Sequence, residues 1–323
     1  MIKPHPQRGA ALLSILLIVA ALAVAALIAT TAIARQTDLA KAAARRSDAS
    51  WAAYSAEALA LSAVGELSTL TNGQLTPLTT GLMEPVVIPV RGGVVSLEVS
   101  DASNCFNVNA LGSPDEGAAT LARLSWISLL GDMEIPTTDA ASLANALSDW
   151  LDADSDARQG GAEDGYYLTL QPAYRAANQL MDSPRELASV LGYSKALQDA
   201  LEPFICARRE PLMSRLNINT LRPDQAPLLR ASYSEALTLA AATRILENRP
   251  ETGWPGVDQF EALPDIRTIP EGQKRTEALS TTSSMYLAEG QTVLDGGSWP
   301  FSFVISAGGG AAPTIVWRRT GEE

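Results

Sequence analysis

At 323 residues, with hydrophobic side chains at 46% and charged ones at 19%, the chain is long enough for about two packed domains and too apolar for global disorder. Its 24 basic and 36 acidic side chains leave a formal charge of −12, which repels nucleic acid and anionic lipid wherever no local basic patch intervenes. The lone histidine, His5, stands in the first nine residues and there are only two cysteines, so the body of the chain has no Ser–His or Cys–His pair, no His-ligated metal and no four-thiolate zinc site.

Residues 10–34 form a run of 25 without a charge. As a helix this run is about 37 Å long and crosses a hydrocarbon core of about 30 Å with some tilt. Its hydroxyl side chains, Ser14, Thr30 and Thr31, can bond back to the helix backbone. Lys3 and Arg8 precede it with no acidic residue, which places the N-terminus in the cytoplasm. Arg35, Lys41, Arg45 and Arg46 follow, but a long domain after a span translocates despite flanking charge. An ordinary secretory signal is cut after its apolar run. Here the cleavage-like step, Arg8-Gly9 followed by Ala10, comes before it. A cut between Gly9 and Ala10 leaves the helix attached and, by removing Lys3 and Arg8, takes the charge from −12 to −14. This layout resembles a type IV pilin-like prepilin, which implies a prepilin peptidase, N-terminal methylation and an inner-membrane anchor. Such families carry Glu at the fifth mature position, where this chain has Ser14. The pseudopilin K family of type II secretion is similar in lacking that Glu. A subunit at the first position of a filament has no predecessor whose N-terminal ammonium needs neutralising.

From Arg35 to about Leu67 the chain stays alanine-rich and free of proline. Leu39, Ala42, Ala43, Trp51, Tyr54, Ala58, Leu61 and Val64 recur at helical spacing, and the later part of this stripe is expected to pack on the chain's own globular body. With the span this predicts one helix of about 58 residues, near 87 Å, broken by Asn72-Gly73 and Pro77. Strands are expected at 86–90 and 94–99 around an Arg91-Gly92-Gly93 turn, and again at 283–287, 291–294, 301–306 and 314–317. The fold class is therefore α+β: a pilin-like long N-terminal helix on an antiparallel sheet, with a large α-helical domain inserted in that sheet. The expected divisions are a leader 1–9, a transmembrane helix 10–34, stalk helix and first strands 35–104, the inserted domain 105–275 and completing strands 276–323.

Two segments of the insertion resemble each other. Asn107-x-Asn109-x-Leu111 is followed by Pro114-Asp115, and Asn217-x-Asn219-x-Leu221 by Pro223-Asp224. Each reads as a turn whose Asn side chains satisfy local backbone, leading to a helix start that suits Pro and Asp. The pair suggests duplicated helical units. The second copy looks like a helix-hairpin-helix or SAM-like unit, but Arg230–Ala236, where a DNA-binding version presents a Gly-x-Gly hairpin, has no glycine. It reads as a protein-facing scaffold, with no nucleic-acid partner.

The most chemical stretch places six carboxylates, Asp149, Asp152, Asp154, Asp156, Glu163 and Asp164, within 16 residues. They repel one another unless solvated or bridged by a cation. Against a calcium loop, Asp152, Asp154 and Asp156 take positions 1, 3 and 5, and Glu163 position 12. Ala157 replaces the turn glycine and Gln159 stands at position 8, so this is no standard EF-hand. Oxygen donors alone favour calcium, the alternative being a solvated acidic loop. This stretch, together with Pro172–Asn178, resembles the signature of pseudopilin K proteins. The resemblance implies calcium in the inserted domain, held by Asp152, Asp154, Glu163 and Asp164 with Asp156 behind them. Cys105 and Cys206 are either two buried thiols or, in an oxidising periplasm, a disulfide; the resemblance favours the disulfide.

The family implies a minor pseudopilin capping the tip of the type II secretion pseudopilus. Its implied partners are minor pseudopilins I and J, other pseudopilins, the prepilin peptidase and the inner-membrane secretion platform. No active site is expected. The same residues leave three rivals: a minor pilin of a type IV pilus, a membrane-anchored DNA-binding protein, and an enzyme built on the carboxylate cluster.

Overall fold

The computed structural model describes residues 8–80, 84–233, 236–308 and 311–321. Residues 1–7 of the expected leader lie outside them; Gly9 and Ala10 fall in the first turn of a single helix, α1 (Arg8–Thr71), 64 residues and about 96 Å long. Within it Thr30 and Thr31 donate to the carbonyls of Leu27 and Ile28, so the span carries no unsatisfied hydroxyl at these positions. The helix stops where Asn72 and Gly73 turn left-handed, φ 52° and 73°.

The stripe that meets the body follows the expected one only at its C-terminal end, where Val64 is buried and Leu61 packs against the same core. Ala49, Ala53, Ala56, Ala60, Val64 and Leu67 are buried, whereas Trp51 is 69% and Tyr54 50% exposed, and Leu39, Ala42, Ala43 and Ala58 face outward too. The reason is steric. A helix lying on a sheet comes close only through small side chains, so alanines occupy the contact and the aromatics are left outside. Tyr54 sits under the Arg318 guanidinium, 5.8 Å from ring centre, and Arg318 bonds Glu57 at 2.7 Å.

The sheet is antiparallel, with strands in chain order: β1 (Val86–Val90), β2 (Gly93–Asp101), β3 (Met285–Leu294), β4 (Gly297–Gly308) and β5 (Ala311–Thr320). Gly92, φ 86°, makes the two-residue turn between β1 and β2. Pro89 is accommodated because β1 is an edge strand. Val95, Leu97, Tyr286, Ala288, Phe301, Phe303 and Ile305 face α1 and build one core with its alanines. Where two strands were expected at 283–287 and 291–294 there is one. Gly290 is no turn residue: a Cβ there would stand 1.9 Å from the Ser96 carbonyl and 2.7 Å from the Phe301 ring, so glycine permits close packing inside a continuous strand.

The insertion leaves after Asp101 and returns at Met285, two ends that are almost opposite each other on neighbouring strands, where Asp101 pairs with Tyr286. The Asp101 carboxylate accepts from Ser103 N–H and from the hydroxyls of Thr220 and Ser283, tying the sheet to both the exit and the return. Gln74 Nε2 donates to the Pro255 carbonyl at 3.0 Å, so the insertion also rests on the end of α1.

Inside the insertion the two Asn-x-Asn segments are structural equivalents. Asn107 and Asn217 each accept from the N–H two residues on. Asn109 grips both backbone groups of Met181 (2.9 and 2.8 Å), and Asn219 grips both of Trp254 (2.9 and 2.7 Å). Each segment also opens a short parallel strand pair, Phe106–Asn107 with Ile205–Cys206 and Leu216–Asn217 with Leu279–Ser280. In the first unit Asp115 caps α2 (Glu116–Gly131), and α3 (Thr137–Leu151) packs against it. In the second, Asp224 turns instead to Arg222, at 3.0 Å. Both units share one core, to which Trp126, Leu129 and Leu147 contribute from the first and Ile218, Leu229 and Phe260 from the second. They also differ in length at one place. The second unit passes directly from Glu247 at a helix end to Trp254, while the first inserts the whole acidic segment between Leu151 and Met181.

Candidate metal centre

The acidic segment starts at the C-terminus of α3. Asp149, in its last turn, is fully buried, and Asp152 is the C-cap. Arg158 returns over them, with Nη1 2.7 Å from Asp149 Oδ1 and 2.5 Å from Asp152 Oδ2, while its N–H donates to Asp149 Oδ2. This return needs two glycines. Gly160 has φ 77°, and a Cβ on Gly161 would lie 1.9 Å from Asp149 Oδ2. Asn145 Nδ2 holds the loop from α3 by donating to the Gln159 carbonyl at 3.0 Å.

Glu163 then caps a one-turn helix, Asp164–Tyr167, and is 7% exposed. One oxygen from each of Asp152, Asp154 and Glu163 lies within 4.8 Å of the others. Two oxygens of this group, Asp152 Oδ1 and Glu163 Oε1, are buried with no hydrogen-bond partner. Such orphaned carboxylate oxygens are costly unless a cation meets them. Burial and the carboxylates of Asp149, Asp152, Asp154 and Asp164 push Glu163 up to about 7. Burial also raises Asp149, against the pull of Arg158. The donors are all oxygen, without nitrogen or sulfur, so the residues present fit a hard cation of the calcium type.

Of the five expected ligands the structure gathers three. Asp164 is turned away, accepting from Arg175 Nη1 at 2.8 Å and from Ala176 N–H at 3.1 Å. Asp156 is exposed, and only its N–H reaches the group, donating to Asp154 Oδ1 at 2.9 Å. Spacing alone equates these positions with an EF-hand, whose turn glycine is missing here. Asp149 and Arg158 were not expected at the site. Arg158 is the only base among the acidic residues 149–164, and that isolation was a usable signal.

Cys105 and Cys206 are joined, with Cα atoms 5.7 Å apart, at the base of the first unit beside its short strand pair. Of the scaffold segment 230–236, residues 234–235 lie outside the described ones.

Two family models, both for type II secretion system protein K, match residues 104–210 and 216–282, one on each Asn-x-Asn unit. Type II secretion system protein K of Pectobacterium carotovorum subsp. carotovorum is 33% identical over 275 residues, 84% of this chain and 83% of that protein. The chain belongs to the type II secretion system protein K family. The Klebsiella pneumoniae member is 33% identical over 81% of either chain. The fold is that of a chain in the crystal structure of the GspK-GspI-GspJ complex from the enterotoxigenic Escherichia coli type 2 secretion system. There the TM-score is 0.78 at 29% identity, covering 88% of this chain and 99% of that one. Among its described residues this K-family chain has one helix long and apolar enough to cross a membrane, and none of its apolar window is buried.

Proposed function

We propose that this chain is the minor pseudopilin at the tip of a type II secretion pseudopilus, assembled with minor pseudopilins I and J to initiate or cap the filament. The observation that carries the reading is the likeness, over nearly the whole of both chains, to the K-type chain of a K–I–J complex. The physical division of labour agrees. Among the described residues none of the apolar window of α1 is buried, and it belongs first in the inner membrane and then in a filament core. The two-unit insertion, resting on the far end of α1, obstructs a further subunit stacking above it.

In this reading a prepilin peptidase cuts between Gly9 and Ala10, the new N-terminus is methylated, and the body stands in the periplasm, where the Cys105–Cys206 bond persists. Calcium is held by Asp152, Asp154 and Glu163 and stiffens the acidic loop. The chain's own part is to supply these oxygens from the end of α3 and from the loop that Arg158 and the Gly160–Gly161 turn bring back to Glu163. No catalytic step is assigned. The test is complementation of a secretion strain lacking its K gene, with the mature N-terminus read by mass spectrometry. Wild type is expected to restore export and to begin at Ala10, and Gly9→Val to remain uncut and inactive. Export restored equally by the uncut chain would overturn the reading.

A further inference from the structure

One neighbour of the acidic loop carries no charge. Asn178 lies beyond the carboxylate stretch, on the length of chain that returns toward Met181. It is pinned twice. Its N–H donates to the Trp150 carbonyl at 3.0 Å, so it sits against the end of the same helix that presents Asp152. Its backbone is left-handed, φ 47°, a conformation that asparagine tolerates better than other residues with a side chain. The side-chain amide then donates through Nδ2 to the Asp154 carbonyl at 3.1 Å. A carbonyl can only accept, so this contact settles which end of the amide is nitrogen and leaves Oδ1 as the other. That oxygen is buried and accepts no hydrogen bond. The loop thus holds three buried oxygens without partners: Asp152 Oδ1, Glu163 Oε1 and Asn178 Oδ1. Leaving such acceptors unmet around one loop is expensive, and calcium takes amide and carboxylate oxygens alike.

We infer that Asn178 donates its side-chain oxygen to the cation held by Asp152, Asp154 and Glu163, as the neutral member of the ligand set. This rests on the calcium reading above and adds to it. The site is closed by a third stretch of chain, so occupancy fastens the 152–163 loop to the segment leading to Met181, which Asn109 grips from the first Asn-x-Asn turn. The neutral oxygen suits a place already crowded with charge. A fourth carboxylate would add repulsion to a group that has four acidic neighbours within the same stretch, whereas calcium accepts amide oxygens alongside carboxylates.

The experiment is calorimetric titration of the full chain in detergent micelles with calcium chloride, repeated for two variants, with thermal unfolding of each metal-free protein alongside. Asn178→Gly removes the amide and keeps the left-handed backbone unstrained. Asn178→Asp keeps an oxygen but loses the donor to Asp154. The expected result is calcium binding by wild type, weakened about tenfold or more by Asn178→Gly and retained or strengthened by Asn178→Asp. If Asn178 only braces Asp154 through Nδ2, both variants lose the same affinity, and the inference falls. Equal affinity of Asn178→Gly and wild type overturns it too. Absence of any calcium heat in wild type overturns the calcium reading itself, and this inference with it. Should Asn178→Gly fail to fold, the Asn178→Asp arm decides between oxygen and brace.

Discussion

At the scale of single residues, the acidic loop balances charges that cannot all be satisfied by the protein alone. Glu163 is the sensitive member. Its folded-state value, pushed up to about 7, lies above the ordinary 4.5, so the metal-free folded state holds the proton more tightly than the unfolded chain does. The stabilisation this proton gives is fully present below pH 4.5 and is lost as the pH rises through about 7. Metal-free protein is therefore expected to lose stability across that window, and calcium to restore it at the upper end. Glu163→Gln should flatten the pH dependence and abolish the calcium effect. Denaturation midpoints at several pH values, with EGTA or calcium, check both. Gly161→Ala is a purely steric test. A methyl that close to Asp149 Oδ2 must displace Arg158 from the fully buried Asp149 carboxylate, and leaving a buried charge without its partner costs about 3–5 kcal/mol, read as a fall in urea midpoint.

At the scale of elements, α1 and the insertion were legible for different reasons. The long uncharged run, the Asn72-Gly73 stop and the strands on either side of the insertion are written in local chemistry, and the structure follows them except where two expected strands join into one across Gly290. The face of α1 was legible only at Leu61 and Val64, because a stripe phased through Trp51 and Tyr54 misses Ala49, Ala53, Ala56 and Ala60, the small side chains that contact with a sheet selects. The prediction that separates the two views is Ala60→Leu against Trp51→Ala. The first overfills a closed contact and should cost about 1–3 kcal/mol; the second should leave the stability of the isolated chain within about 0.5 kcal/mol. Gly290 was illegible for a similar reason: glycine as a turn and glycine as a packing gap look alike until the neighbouring strand is in place. The acidic loop was half legible. The residue types pointed to hard-cation chemistry, but which carboxylates converge depended on Arg158 and Arg175, whose pairings draw on turns that spacing does not specify. The repeated Asn-x-Asn turns, by contrast, announced two equivalent units; the expected local bonds are made by Asn107 and Asn217, while Asn109 and Asn219 reach the distant backbone of Met181 and Trp254. The Cys105–Cys206 bond closes a separation of 101 residues. Replacing both by serine should cost about 4–5 kcal/mol in the chain-entropy model, seen by urea unfolding under non-reducing conditions.

At the scale of the molecule, one helix of about 96 Å joins an apolar window that is unburied among the described residues and a body whose bulk lies at the far end. The insertion is tied there at several points. Asp101 ties the sheet to exit and return, Gln74 ties the end of α1 to the second unit, and a common core joins the second unit to the first. An obstruction built this way suits a subunit that begins a filament rather than one repeated along it. The most direct measurement is co-purification of the full chain with the I and J minor pseudopilins of its own secretion system, in detergent, with calcium or with EGTA. The account predicts a stable three-subunit complex in calcium, with this chain losing thermal stability in EGTA. No complex in either condition, with a melting temperature indifferent to calcium, would contradict it.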